Sequence, residues 1–369
     1  MRLRYLFVLT AILAATAMVG IAAAGLEQPD PPKPSYDRGV TMTALPESVG
    51  PYPGFSRKGP DFPPRPELGP ALLKPAIECY DFDDNGVPTG GFRFIPPDPH
   101  VAVGPNHVIN IGNVMIEWRV KDDPDPREHL EGLNSFFGTI PGPGFPVLPT
   151  EQLGTFKFDP KVIYDQYSGR FVVVALEQWD VICGGDPSDE SRILVAVSKT
   201  SDPNLGWWFH VIDSKAFEPG GPVWADYPGI AVDDKALYIT NNMFPFCSSG
   251  AGFSNRVWII EKAPTYAGPD QSIVFTVTDP VAASGAFYMT LQPAHMYGPL
   301  PIGSTGSVLG TYLVGYSGLT FGGPGGIEVL NLIEITDPLG AGPGPLFTSQ
   351  IPSCGDIEDV GGIFGFPAL

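Results

Sequence analysis

A short phrase returns four times along the 369-residue chain: a polar residue, a proline, then an apolar run. It reads Asp98-Pro99-His100-Val101, Asp159-Pro160-Lys161-Val162, Asp226-Tyr227-Pro228-Gly229-Ile230 and Gln292-Pro293-Ala294-His295-Met296, with prolines 61, 68 and 65 residues apart. A fixed period of this size, with several short strands inside each unit, marks a repeat architecture. Each unit has room for a four-stranded antiparallel sheet and its loops, the blade of a β-propeller.

The strands are short β-branched runs bounded by Gly, Pro or Asn. The first unit shows Val101–Val103, Val108–Ile111 and Val114–Trp118. The second has four: Val162–Tyr164, Phe171–Ala175, Ile193–Val197 and Trp208–Ile212, the first two joined by the turn Tyr167-Ser168-Gly169-Arg170. The third repeats the order with Ile230–Val232, Leu237–Thr240, Val257–Ile260 and Ile273–Val277, and the fourth with Met296-Tyr297, Thr311–Val314, Ile327–Ile335 and Leu346–Thr348. A second marker follows the third strand, as Asp123-Pro124, Asp202-Pro203 and Asp337-Pro338, with Ala263-Pro264 in the third unit; an Asp closing an Asx turn before a φ-fixed Pro suits a tight connection. No sustained 3.6-residue apolar period follows the leader, so the domain is expected to be all-β, with a sandwich or jelly roll as the competing architecture.

Arg2 and Arg4, an apolar run from Tyr5 to about Val19 and Ala22-Ala23-Ala24 read as a signal peptide over 1–24, with an uncleaved anchor as the alternative. Residues 25–75 are dense in proline and are expected to form an extended or disordered linker. The propeller domain is expected over 76–369. Four units end near Pro352, and Ser353–Leu369 reads as the opening of a further blade, so the chain is expected to be a fragment or to carry an incomplete ring.

The formal net charge is −19, two units lower once Arg2 and Arg4 leave with the leader. Such a surface repels phosphate backbones and anionic lipid, so nucleic acid is not an expected partner, and no membrane span is expected after cleavage. Four cysteines, Cys79, Cys183, Cys247 and Cys354, lack zinc-site spacing, and in an exported chain they point to disulfides. Of the three full pairings, Cys183 with Cys247 is favoured by position, leaving Cys79 with Cys354.

The run Pro96-Pro97-Asp98-Pro99-His100-Val101-Ala102-Val103-Gly104-Pro105-Asn106-His107-Val108, together with Asp159-Pro160-Lys161-Val162-Ile163-Tyr164-Asp165 and Ala225-Asp226-Tyr227-Pro228-Gly229-Ile230, resembles the blade signatures of a group of uncharacterised exported bacterial proteins. The resemblance covers most of residues 90–300. It implies a β-propeller and a secreted, cell-surface or periplasmic location, and brings no activity. Thr200–Trp208 also resembles the Asp-box hairpin of sialidase-like propellers, two residues off its spacing, which implies a structural turn and not sialidase chemistry.

In a propeller the first strand of each blade lines the axis, so Asp98, Asp159, Asp226 and Gln292 are expected near one mouth of the channel. No cofactor is required by the sequence, but oxygen ligands so gathered would suit Ca²⁺; capping of each strand by its own Asp is the simpler reading. As catalytic groups, Asp98, Asp159 and Asp226 would need an acid partner, and Glu117 and Glu177 are candidates by location. Asp81–Gly86 matches half a calcium loop, but position twelve is Phe92, so a plain turn is expected. The five histidines lack ligand spacing and read as hydrogen-bonded structural residues. No phosphate loop, nucleophile elbow or zincin motif occurs. Trp179, Trp207, Trp208, Trp224, Tyr227, Phe244 and Phe246 supply rings at blade edges. The expected function is a secreted, non-catalytic binding propeller for a protein or glycan. The alternative is a glycoside hydrolase or lyase using the axial carboxylates.

Overall fold

In the second unit, odd and even positions of the central strands are equally apolar, which a sheet with one wet face would not tolerate. The computed structural model shows why. It describes residues 79–86, 93–121, 127–138, 157–179, 189–246, 251–268, 273–284, 290–316, 328–340 and 345–355. The leader, the proline-rich segment, Asp123-Pro124, Cys183 and Cys247 lie outside the described residues, as do the side chain of Cys354 and residues 356–369. No disulfide occurs among the described residues.

The strands form four antiparallel sheets taken in chain order. The first holds β1 (His100–Val103), β2 (His107–Gly112), β3 (Met115–Val120) and β4 (Arg127–Gly132). The second holds β5 (Lys157–Asp165), β6 (Arg170–Trp179), β7 (Glu190–Ser198) and β8 (Trp207–Asp213). The third adds a short β9 (Ala216–Glu218) to β10 (Gly221–Val232), β11 (Ala236–Pro245), β12 (Ser254–Glu261) and β13 (Phe275–Thr278). The fourth has β14 (Gln292–Pro293), β15 (Leu309–Tyr316), β16 (Glu328–Thr336), β17 (Leu346–Gln350) and β18 (Ser353–Gly355).

The innermost strands β1, β5, β10 and β14 lie side by side in that order, and the sheets stack as propeller blades. Three separate cores fill the gaps between blades. In β6, Phe171, Val173 and Ala175 pack with the first sheet, whereas Val172, Val174 and Leu176 pack with the third. The same split runs through β7, where Leu194 and Ala196 join the first core and Ile193, Val195 and Val197 the second. In β11 and β12, Leu237, Ile239, Trp258 and Ile260 face back to the second blade, while Tyr238, Val257 and Ile259 pack against Leu313, Ile333 and Ile335 of the fourth. Strand alternation with a period of two thus feeds two cores at once.

Four details depart from the sequence reading. β4 was not expected, because Arg127-Glu128-His129-Leu130-Glu131 carries the charge of an outer edge strand and no apolar signal. Met296-Tyr297 is not the first strand of the fourth blade; the ladder there is the two-residue β14, and Tyr297 is exposed. Ser353–Gly355, the described start of the segment read as a further blade, pairs with β16 of the fourth sheet. β16 starts before β17 reaches it, which leaves ladder groups at Glu328 and Val329, and β18 takes them. Short helices also occur, at Leu133–Phe137, Lys262–Thr265 and Pro280–Ser284, inside an otherwise all-β chain.

Burial on both faces has a direct test in the neighbours Ile193 and Leu194, 0% and 2% exposed. Each truncation to Ala is expected to cost about 2–5 kcal/mol in denaturant unfolding. A sheet with one wet face would leave one of the two variants within about 0.5 kcal/mol of wild type.

Candidate functional site

A proline has no N–H to give a ladder and is tolerated in a strand mainly at an edge or a bulge. Each of the first three blades meets this constraint in the same way. The residue before the proline turns to positive φ, at Asp98 (42°), Asp159 (47°) and Tyr227 (45°). In β5 the register then shifts between Phe158 and Lys161, and in β10 between Asp226 and Gly229. Bulges bend a strand and re-aim its side chains, and the three positive-φ turns together with these two bulges place the acids of three blades near one another.

Asp159 is the hub. Its carboxyl stands beside that of Asp226 from the third blade and that of Asp98 from the first, close enough to raise the proton affinity of both. Asn113, at the turn between β2 and β3, clamps two of them. Its Nδ2 donates to Asp98 Oδ2 at 2.9 Å and to Asp159 Oδ1 at 3.3 Å, while its Oδ1 accepts from the Asp159 backbone N–H at 2.7 Å. The third blade repeats the clamp on the fourth: Thr290, also at positive φ, donates its N–H to Asn242 Oδ1 at 2.6 Å and its Oγ1 accepts from Asn242 Nδ2 at 3.0 Å. Neither asparagine was singled out by the sequence reading, since each sits where a turn or strand end would place an Asn for local reasons.

Burial, with the adjacent Asp159 carboxyl and its hydrogen bond, pushes Asp226 up to about 7. Burial and Asp159 raise Asp98 too, against the lowering effect of Lys161. The Tyr227 hydroxyl is raised by burial and by the charges of Asp98 and Asp159. The Tyr227 ring is 37% exposed, with Lys161 Nζ 4.8 Å from its centroid. Near neutral pH Asp226 therefore keeps its proton part of the time, and the cluster carries fewer than three full charges.

The four-oxygen calcium set read from the sequence is not gathered as a cage. Gln292 lies in β14, its Nε2 donating to the Leu291 carbonyl at 3.3 Å, and no hydrogen bond links it to the aspartates among the described residues. The position equivalent to Asp159 is taken by Thr290, two residues earlier than the proline phrase suggests. No group of three His, Cys, Asp or Glu side chains arranged to hold a metal ion occurs among the described residues.

The two glutamates named as acid partners are occupied elsewhere. Glu117 is buried between Arg119 at 3.1 Å and Arg127 at 3.3 Å; Glu177 is buried between Lys157 at 3.1 Å and Arg192 at 3.4 Å. Asp81 closes a turn by accepting from the N–H groups of Asp83 and Asp84. Three histidines make bonds of a structural kind: His100 Nδ1 lies 2.9 Å from the Val162 carbonyl across β1 and β5, His210 Nε2 lies 2.7 Å from the Thr265 carbonyl, and His295 Nε2 lies 2.7 Å from Gln166 Oε1. His107 and His129 differ from expectation, because β4 brings Glu128 to 3.1 Å of His107 and Glu131 to 2.6 Å of His129. Among the named rings, Trp207 and Phe246 are core residues, and Trp224 packs on Phe158 and Phe244.

Blade sheets and an acidic axial mouth define this chain as a β-propeller. No protein-family model matches it, and no curated protein matches it in sequence. Among solved structures, a mutant of Trypanosoma rangeli sialidase displaying trans-sialidase activity overlays with a TM-score of 0.29 at 13% identity, over 52% of this chain. The chain spans 30% of that protein's length. A GH43 β-1,3-galactosidase with galactodeoxynojirimycin overlays with a TM-score of 0.26 at 11% identity, over 70% of this chain and 95% of its own.

Asp226 holds its proton from about pH 4, where a free aspartate releases it, up to about 7. In that window the folded chain binds more protons than the unfolded one, so stability falls as pH rises and this contribution is lost above about 7. Asp226→Asn keeps a donor for Asp159 and removes the titration. The wild-type melting temperature is expected to decline more steeply than that of Asp226→Asn between about pH 5 and 8, and equal slopes would contradict the raised proton affinity of Asp226. Asn113→Ala leaves the Asp159 N–H without its acceptor and is expected to cost about 1–3 kcal/mol in denaturant unfolding.

Proposed function

We propose that this chain is a secreted binding propeller whose axial mouth takes a polyhydroxylated ligand, a glycan. The observation that carries the reading is the meeting of Asp98, Asp159 and Asp226 beside the exposed ring of Tyr227. Carboxylates accept hydrogen bonds from sugar hydroxyls, and an open aromatic ring offers a flat apolar surface to a pyranose face. Tyr227 is held at φ 45°, a conformation that costs a bulky residue about 1 kcal/mol or more and that concentrates at functional sites. The leader expected over residues 1–24 and the resemblance of the proline phrases to those of exported proteins support secretion.

The occupation of the nearby glutamates favours binding over hydrolysis: Glu117 and Glu177 are each held by two cations, which withdraws them as acid partners for the aspartates. A second reading, a glycoside hydrolase or lyase, draws on one observation: Asp226 keeps a proton to about 7, as a general acid must.

Calorimetry and affinity electrophoresis on soluble polysaccharides test both. Saturable binding, weakened about tenfold or more in Asp159→Asn and without release of reducing ends, is expected. Turnover by the wild type that disappears in Asp226→Asn would replace the binding reading with the enzyme. Failure to bind any polysaccharide in the panel would contradict the glycan reading. Tyr227→Gly separates function from folding: it relieves the positive φ, so stability is expected to hold or rise while glycan binding falls.

A further inference from the structure

At the other end of the innermost strands the chain builds a second cavity. β5 and β10 end in matching turns: Asp165 accepts from the N–H groups of Tyr167 and Ser168, and Asp233 from those of Lys235 and Ala236. Between these turns, the Lys262–Thr265 helix and Leu339 of the fourth blade lies a cleft of about 360 Å³, within the range of small-ligand sites.

The floor is Lys262, 4% exposed, which pairs with the buried Asp165 at 2.7 Å and donates to the Asp233 carbonyl at 2.8 Å. Its ammonium also lies over the rings of Tyr167 and Tyr266, 5.2 and 5.6 Å from their centroids, so its interactions are met within the fold. Around it stand the exposed Asp234 and Lys235 and the half-buried Glu261, and among the described residues none of these three side chains forms an ion pair. Ala263 and Leu339 add an apolar wall. Two carboxylates and two ammonium groups thus line one small space, with the buried ammonium already neutralised by Asp165. Charges left unpaired around a cleft are complementary to a ligand that carries both signs.

We propose that this cleft binds an amino-acid-sized zwitterion, with its ammonium between Asp234 and Glu261, its carboxylate on Lys235, and an apolar side chain against Ala263 and Leu339. The site is separate from the acidic mouth and does not rest on the glycan reading.

Calorimetry of the full chain with three probes tests it: L-leucine, N-acetyl-L-leucine, which lacks the ammonium, and L-leucinamide, which lacks the carboxylate. Saturable leucine binding is expected, weaker by about tenfold or more for each of the other two probes. Glu261→Gln is expected to weaken leucine by a similar factor, and Lys235→Ala to bring leucine and leucinamide to comparable affinity. Asp159→Asn, at the other end of the strands, is expected to leave leucine binding unchanged. No saturable binding of leucine, equal affinity for all three probes, or leucine binding untouched by Glu261→Gln with the fold intact by circular dichroism would overturn the proposal.

Discussion

The missing N–H of a proline organises the centre of this molecule. β5 and β10 hold Pro160 and Pro228 inside the strand, and Pro99 stands just before β1; in each case the preceding residue turns to positive φ, and in β5 and β10 the ladder bulges as well. Asp suits that conformation because its short polar side chain tolerates the left-handed region. In the first two blades the residue that solves the backbone problem is itself the acid; in the third it is Tyr227, and the acid is its neighbour Asp226. Repetition in successive blades turns a local turn preference into an acidic mouth.

The acids are held together against their mutual repulsion by three compensations. A proton is retained, with Asp226 pushed up to about 7 by burial and by Asp159. Asn113 bridges Asp98 and Asp159 and accepts from the Asp159 backbone. Lys161 supplies a nearby positive charge that lowers Asp98. Around this centre the packing is dry and two-sided: β6 and β7 feed one core with alternate residues and a second core with the rest. Buried charges away from the axis, such as Glu117 and Glu177, each meet two cations, which satisfies them and withdraws them from any chemistry at the mouth.

The blades and the three converging aspartates were legible in the sequence because the proline phrase repeats and because β-branched runs between turn residues are strong strand signals. The edge strand β4 was not, since Arg127–Gly132 has the composition of a loop and is a strand only because β3 offers it a ladder. Gln292 was read as the fourth axial residue from its place before Pro293, whereas the asparagine clamp selects Thr290. A hydrogen bond between blades leaves no mark on local pattern. For the same reason Asn113, Lys262 and the cleft beside the β5 and β10 turns could not be read from spacing alone, as their partners lie in other blades.

The central claim is that the positive-φ turns, with the bulges of β5 and β10, gather Asp98, Asp159 and Asp226 closely enough to hold a proton on Asp226 up to about 7. Carbon-13 NMR titration of the aspartate side-chain carboxyls, assigned through Asp98→Asn, Asp159→Asn and Asp226→Asn, reads this directly. The account predicts one carboxyl titrating near 7, assigned to Asp226 and moved down toward the ordinary aspartate range in Asp159→Asn. Three carboxyls titrating independently near about pH 4, each indifferent to substitution of the others, would contradict it.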